Sequence, residues 1–407
     1  MKLLHTSDWH LGQTLHGHGR EAEHRAFLDW LLDELQQRQP DALLIAGDVF
    51  DQANPSADAL RLYYAFLGQA LRRCPRLSIV VIAGNHDSPG RIEAPHPLLQ
   101  GLGVHVVGHF RGETDQAPRW CIPIAGSDGQ IGAWVLALPF LRPSDLPRRE
   151  APAYLEGVAE VYREALETAL PLRQPGQALI AMGHLHVRGG QLSELSERKL
   201  VIGGQEALDA SVFPPELDYV ALGHLHLAQS FNGGRIRYSG SPLPLSFNEI
   251  GYPHQLVELR IDKHGKVSAE AVRVPRPAPI LRVPERHLPL EQALAALRSL
   301  EVPEDPPPGL EPLIEVPIEL ALADTEVRAQ VDQALEGKQV RLARIDPRRR
   351  KDPAAGDADQ RPTLSLSELK PELLFQRLVD EQTGAAPEAE LLAAFGELLS
   401  QIEQEAH

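Results

Sequence analysis

Over the first 272 positions, apolar residues fall into short runs that stop at histidine, asparagine or aspartate. The clearest are Lys2-Leu3-Leu4-His5-Thr6-Ser7-Asp8-Trp9-His10, Ala42-Leu43-Leu44-Ile45-Ala46-Gly47-Asp48 and Ile79-Val80-Val81-Ile82-Ala83-Gly84-Asn85-His86-Asp87. A fourth is Tyr219-Val220-Ala221-Leu222-Gly223-His224-Leu225-His226, with an echo at Ala178-Leu179-Ile180-Ala181-Met182-Gly183-His184-Leu185-His186. Unbroken apolar runs of this length, closed by a polar turn, predict strands covered on both faces. Between them the spacing becomes helical. Phe27, Leu31 and Leu35 fall at i, i+4 and i+8 in an expected helix from about Glu21 to Gln37. Another follows Pro55-Ser56, with Ser56 as N-cap, and runs through Leu60, Tyr63, Tyr64 and Leu67 to Arg73. Later strands are expected at Val104–Val107, Ala133–Leu138, Arg235–Tyr238, Gln255–Ile261 and Lys266–Val274. The predicted class is α/β: two mixed sheets face to face, flanked by helices. Ser239-Gly240-Ser241-Pro242-Leu243-Pro244 is too rich in proline and glycine for a central strand and reads as a loop near the site.

Pro275-Arg276-Pro277-Ala278-Pro279 ends this first domain, residues 1–274. A small αβ unit is predicted over 280–345, with strands Ile280–Val283, Leu313–Leu320 and Gln339–Arg344 and helices Leu290–Leu300 and Glu326–Glu336. So small a unit should lean on the larger domain. Residues 346–363, charged and rich in proline, glycine and alanine, read as a flexible linker. Two helical segments follow within 364–407, and Leu391, Phe395, Leu398 and Ile402 form an apolar stripe on the second. Such a stripe is usually intramolecular core, but with little domain of its own to cover it, partner docking is an equal reading here.

Composition narrows the setting. At 407 residues the chain is long enough for two or three domains. No apolar run approaches the ~18–20 residues that cross a bilayer. Asp8 and His10 lie where a presequence would be cut away, which argues against one. Cys74 and Cys121 make neither a metal spacing nor a disulfide framework, so a cytoplasmic setting is expected. The net charge of −16 runs against nucleic-acid binding by a free-standing chain, since such proteins neutralise phosphates with a basic face. Only local basic clusters occur, such as Arg72-Arg73 and the solvated run Arg348–Lys351. Either the substrate is not a polymer or another protein grips it.

In α/β sheets, ligands bind beyond the carboxyl ends of the strands, so the clusters should converge there. Aspartate, asparagine and imidazole converging in one crevice make a metal site, and their number suits two ions. Asp8 and His10, two residues apart in an extended segment, can chelate one ion. Asp48 suits a bridging carboxylate. His224 and His226 share the Asp8/His10 spacing, Asn85 offers a neutral oxygen, and His184 completes the donors of the second ion. Such a mixture favours manganese, iron or zinc over magnesium. His86, beside Asn85, is expected to be no ligand but a general acid toward a departing alkoxide. Asp87 could orient it or cap the following turn, and Asp51 could hold a ligand histidine. A lone Asp-x-His or His-x-His is usually a surface accident; four clusters in order are not. His186 reads as an echo without a ligand role, and His16 and His18 as solvated residues near the substrate entrance. His5, His105 and His109 read as ordinary packed or exposed histidines.

In order, Asp-x-His, Gly-Asp-x-x-Asp, Gly-Asn-His-Asp, a lone His and Gly-His-x-His resemble the calcineurin-like metallophosphoesterase pattern. Thr6-Ser7-Asp8-Trp9-His10-Leu11-Gly12, Gly47-Asp48-Val49-Phe50-Asp51 and Tyr238–Phe247 are similar to the SbcD family of bacterial nuclease subunits. The resemblance covers residues 1–250 closely and is architectural beyond about 275. It implies one manganese on Asp8, His10, Asp48 and His226, a second on Asp48, Asn85, His184 and His224, and His86 as the catalytic histidine. Relatives that carry a second active-site histidine have it where this chain has Asp51, so no role for it transfers. The family further implies a double-strand exonuclease and single-strand or hairpin endonuclease in DNA repair and recombination. The 280–345 unit would be a capping domain, and the terminal helices would dock on an SbcC-type coiled-coil ATPase. A homodimer within a heterotetramer is implied, nucleoid-associated, with helices near Pro55–Arg73 and Arg91–Gly101 as interface candidates. Two other readings compete: a free-standing metallophosphatase or nucleotide phosphodiesterase, which the charge favours, and a catalytically dead scaffold, which retention of all seven ligands opposes.

Overall fold

The computed structural model describes residues 1–110, 118–146, 154–191, 207–320 and 326–349. Strands Lys2–Thr6, Ala42–Ala46, Ser78–Ile82 and Val104–Val107 lie parallel side by side, and Gln255–Ile261 and Val267–Arg273 extend this sheet antiparallel. The second sheet runs Gln229–Phe231, Ile236–Tyr238, Tyr219–Gly223, Ala178–His184, Ile131–Ala137 and Cys121–Ala125. Its four central strands are parallel and its two edges antiparallel. Six strands in each sheet bear out the predicted sandwich.

The unbroken apolar runs are explained by burial on two faces. Leu3, Leu44, Val80 and Ile82 point into the core shared with the second sheet. Their neighbours Leu4, Leu43, Ile45, Ile79 and Val81 point the other way. There they meet Phe27, Leu31 and Leu35 of helix Glu21–Arg38 and Tyr63, Phe66 and Leu67 of helix Ala57–Arg73. The second helix starts as predicted: Ser56 Oγ accepts a hydrogen bond from the Ala59 amide, at 3.2 Å. Helix Tyr154–Ala169 covers the outer face of the second sheet through Val158, Val161, Tyr162 and Ala165. Neither this helix nor strand Cys121–Ala125 is among the elements expected from the sequence.

Residues 280–349 form the small αβ unit. Strand Leu313–Leu320 pairs in parallel with Ile280–Arg282, Leu288–Pro289 and Arg341–Arg349. Helices Leu290–Arg298 and Val327–Ala334 pack against it through Leu294, Leu297 and Val331. Strand Arg341–Arg349 continues past the expected boundary, so 346–349 are paired strand and not the beginning of a linker. Pro347 has no amide proton to give, yet it does not end the ladder, as an edge position allows. The unit sits on the sandwich within one compact body, Met1–Arg349. Its seat is the cluster of Leu15 and Phe247 from the sandwich with Ile280 and Leu313. The expected linker beyond 349, the terminal helices and the Leu391 stripe lie outside the described residues.

Candidate metal centre

Five strands end at one rim: Thr6, Ala46, Ile82, His184 and Gly223 are the last residues of their strands. His184 is itself a strand end and every other candidate ligand or acid follows within a few positions, so the rim gathers all of them. Asp8, His10 and His226 form one group of mutually close donor atoms, Asp8, Asp48 and His184 another, and His10, Asp48 and His86 a third, each within 4.8 Å. All of these residues are at most 9% exposed. Asn85 Oδ1 lies 3.0 Å from His184 Nε2 and 3.2 Å from His224 Nδ1, completing the cluster.

The local backbone departs from expectation. Asp8 and His10 are not in an extended segment; their φ values are 54° and 47°, and Asp48 and His224 have φ of 49° and 100°. Left-handed conformations at non-glycine residues cost ~1–3 kcal/mol each and gather at functional sites. Here the loops are locked by backbone bonds from Asp8 N to Gly47 O and His10 N to Asp48 O, both 3.0 Å. Left-handed turns at these residues bend the chain across the rim instead of letting the strands run on past it. Gly84 is fixed by proximity, because a β-carbon there would overlap the carboxylate and amide of Asp48. At Gly223 it would overlap the Ala46 carbonyl.

The imidazoles are oriented by oxygen acceptors. His184 Nδ1 donates to Ala46 O at 2.9 Å, and His86 Nδ1 to Asp51 O at 2.7 Å. His226 Nδ1 donates to Glu249 Oε1 at 3.0 Å, and His10 Nδ1 lies 3.3 Å from Asp51 Oδ1. With the proton on Nδ1, Nε2 carries the lone pair. His10 Nε2 is buried without a hydrogen-bond partner, 3.6 Å from Asp48 Oδ2. His224 differs, turning Nδ1 toward Asn85.

Charge tells the same story. Burial opposes ionisation of Asp48, yet His184, then His10 and His86, hold its carboxyl well below the usual range. Burial likewise opposes a charged His184, but Asp48, at 3.3 Å, raises it to about 9. Burial and then His184 drive His224 well below its ordinary value. In the protein alone, therefore, a proton on His184 balances Asp48. A divalent cation balances it equally and leaves the ring neutral to donate its lone pair, so the residues fit a metal.

Asp51 holds a histidine as expected, but Asp87 neither orients His86 nor caps a following turn. Its carboxylate accepts from the amides of Gly84, Phe50 and Val49 at 2.8, 3.0 and 3.2 Å, stapling two rim loops together. Burial, then Asp48, push this acid up to about 6. Sequence reading missed Glu249, 0% exposed and bonded to His226. Its neighbourhood in sequence, Ser246-Phe247-Asn248-Glu249, carries no strand or helix signal that would place it at the rim. His186 belongs to none of the donor groups among the described residues. His18 is half-buried, its Nε2 3.0 Å from Leu342 O of the small unit, whereas His16 is exposed as expected, with its ring beside Phe247. His5 is packed, 3.0 Å from the Tyr219 hydroxyl.

The calcineurin-like phosphoesterase family model matches residues 1–228, and the type 5 capsule protein repressor C-terminal domain model matches 276–383. The SbcD subunit of the SbcCD nuclease from Rhodobacter capsulatus is 46% identical over 92% of this chain and 93% of that protein. Its counterpart from Escherichia coli K12 is 36% identical over 93% of this chain and 92% of its own. That of Bacillus subtilis is 39% identical over 62% and 64%. No helix among the described residues is long and apolar enough to cross a membrane. Rim chemistry, sandwich and relatives agree: the chain belongs to the calcineurin-like phosphoesterases and, within them, to the SbcD family of nuclease subunits.

Proposed function

We propose that this chain is a manganese-dependent DNA nuclease acting with an SbcC-type coiled-coil ATPase in DNA end processing. Asp8, His10, Asp48 and His226 would hold one ion, and Asp48, Asn85, His184 and His224 the other. The observation that carries this reading is the common orientation of four imidazoles. Each of His10, His86, His184 and His226 has Nδ1 against an oxygen acceptor, which turns Nε2 to the shared crevice.

When bound, the two ions attract the phosphate oxygens and make water nucleophilic at neutral pH. The chain supplies the rest. Asp48 amasses charge between the two sets of ligands, and Asn85 adds an oxygen without adding charge. His86, its Nδ1–H held by the Asp51 carbonyl, would act as the imidazolium, giving its Nε2 proton to the departing alkoxide oxygen and returning to the neutral Nδ1–H form. His86 also offers a donor atom within 4.8 Å of those of His10 and Asp48, and counting ions in His86→Ala separates an acid from a ligand.

The net charge of −16 fits a protein whose partner grips the DNA. Residues 280–349 act as the capping domain, and 364–407 dock on the ATPase. Leu98 and Leu102, 79% and 62% exposed, support a homodimer contact through the segment near Arg91–Gly101.

The chain co-expressed with its ATPase should cut a hairpin-ended duplex, lose that activity in EDTA, and regain it better with manganese than with magnesium. Equal rescue by magnesium counts against the imidazole-rich site. Cleavage of small phosphodiesters with no action on DNA, partner included, would instead establish a free-standing phosphodiesterase. Deleting 364–407 should spare manganese-dependent cleavage of single-stranded DNA and abolish co-purification with the ATPase; retained binding would disprove the docking role.

A further inference from the structure

We infer that Glu249 is a positioning residue that fixes the metal-binding tautomer of His226 and ties that ligand to the seat of the capping domain. The inference rests on the reading that His226 binds metal. Glu249 uses both oxygens, and both are committed. Oε1 accepts from His226 Nδ1 at 3.0 Å, and Oε2 accepts from the Leu245 amide at 2.8 Å. A carboxylate has no proton to give at these contacts, so the imidazole proton must sit on Nδ1 and Nε2 must carry the lone pair.

The other end of this link is the segment Pro244–Glu249, which is gripped from both domains. Gln13 Nε2 donates to Leu245 O at 2.9 Å, and Arg20 Nη1 donates to Pro244 O at 2.6 Å and to Gln13 Oε1 at 2.7 Å. Arg20 in turn pairs with Glu23 at 2.6 Å, and Arg341 of the cap reaches the same carboxylate at 3.3 Å. Phe247, in the same short turn as Glu249, is buried with Ile280 and Leu313 of the cap, and Arg282 donates to its carbonyl at 3.4 Å. A shift of the cap thus moves the segment that holds Glu249, and Glu249 moves with it the ring of His226. The reverse holds by linkage: filling the metal site restrains the cap's seat.

Glu249→Gln in the full chain tests this with manganese alone. Glutamine keeps an oxygen for the Leu245 amide but turns an NH2 toward His226, which favours the proton on Nε2 and blocks ligation. The wild-type chain should bind two ions, and the variant should bind one of them ~10–100-fold more weakly, the usual cost of losing an outer partner of a ligand. Ring 15N shifts of His226 in the metal-free chains should report Nδ1–H in the wild type and Nε2–H in the variant, which lost packing alone would not produce. Manganese should slow amide exchange at 245–249 and 280–282 in the wild type and not in Glu249→Gln. Unchanged affinity in the variant overturns the positioning role, and equal protection of 280–282 in both proteins overturns the link to the cap. If the variant does not fold, the wild-type spectrum decides alone, since Nε2–H on His226 there refutes the assignment. A wild-type chain that binds no manganese overturns the metal-site reading and this inference with it.

Discussion

The tetrapeptide Gly-His-Leu-His occurs twice, at 183–186 and 223–226, at the ends of adjacent parallel strands, and the two copies do different work. In the first, His184 is the last residue of its strand, its ring fixed by the Ala46 carbonyl, and His186 stays outside the donor groups. In the second, the strand stops at Gly223, and both histidines reach the rim. The cause is register. Gly183 pairs with Leu222 and His184 with Gly223, so the copies are displaced by one residue. One residue reverses the face of every side chain that follows. The second copy recovers the rim only because His224 adopts φ of 100° and because Glu249 waits for His226. Among the described residues, identical local sequence therefore brings both histidines to the rim cluster in one place and His184 alone in the other.

Asp48 is the common neighbour of the two copies, and removing its charge should produce the largest effect. Asp48→Asn should abolish stable binding of both ions and lower turnover by on the order of 10⁴-fold, ~5 kcal/mol. Single-turnover cleavage with metal counting checks it; one ion retained at full affinity would unseat Asp48 as the shared ligand. His86→Ala should lower turnover by ~10²–10⁴-fold while leaving two ions bound. Loss of an ion there would make His86 a ligand and undo its contrast with His184 and His226. Between the copies themselves, His226→Ala should weaken one ion by ~100-fold or more. His186→Ala removes a half-buried ring 6.4 Å from that of His224 and should weaken binding of either ion by far less than His226→Ala does. Comparable losses from the two would erase the distinction drawn from register.

Histidines buried for other reasons make a control for those that serve the rim. His24 has no hydrogen-bond partner on either ring nitrogen, and burial, then Arg20, lower it to about 3; burial alone leads the fall of His5 to the same value. Unfolded, each titrates near ~6.5, so between pH 6.5 and 3 the unfolded chain binds the extra proton. Stability rises with pH through that window and is lost on acidification, by at most ~2 kcal/mol per residue on going from pH 6.5 to 5. The drop in melting temperature of the metal-free chain between pH 7 and pH 5 should be smaller in His24→Leu than in the wild type. An identical drop would show that His24 is protonated in the fold.

Strand runs such as Ala42–Ala46 and Ser78–Ile82 were legible because burial on two faces demands uninterrupted apolar residues, and helix Ala57–Arg73 because its cap and its stripe are local features. The convergence of the seven candidate ligands and His86 was legible for a similar reason: strand ends set the depth at which their side chains emerge. Harder to read were contacts that cross long stretches of chain. Glu249 lies 23 residues from His226, and Arg341 lies 318 from Glu23, with nothing periodic between to announce either pairing. The sequence by itself determined which residue types stand at the rim and in what order. Only the tertiary structure decided which ring nitrogen faces inward, which copy of Gly-His-Leu-His brings both histidines to the rim cluster, and what the small αβ unit rests upon. Composition and spacing act within one segment, whereas register, left-handed turns and carboxylate partners arise only when distant segments are packed together.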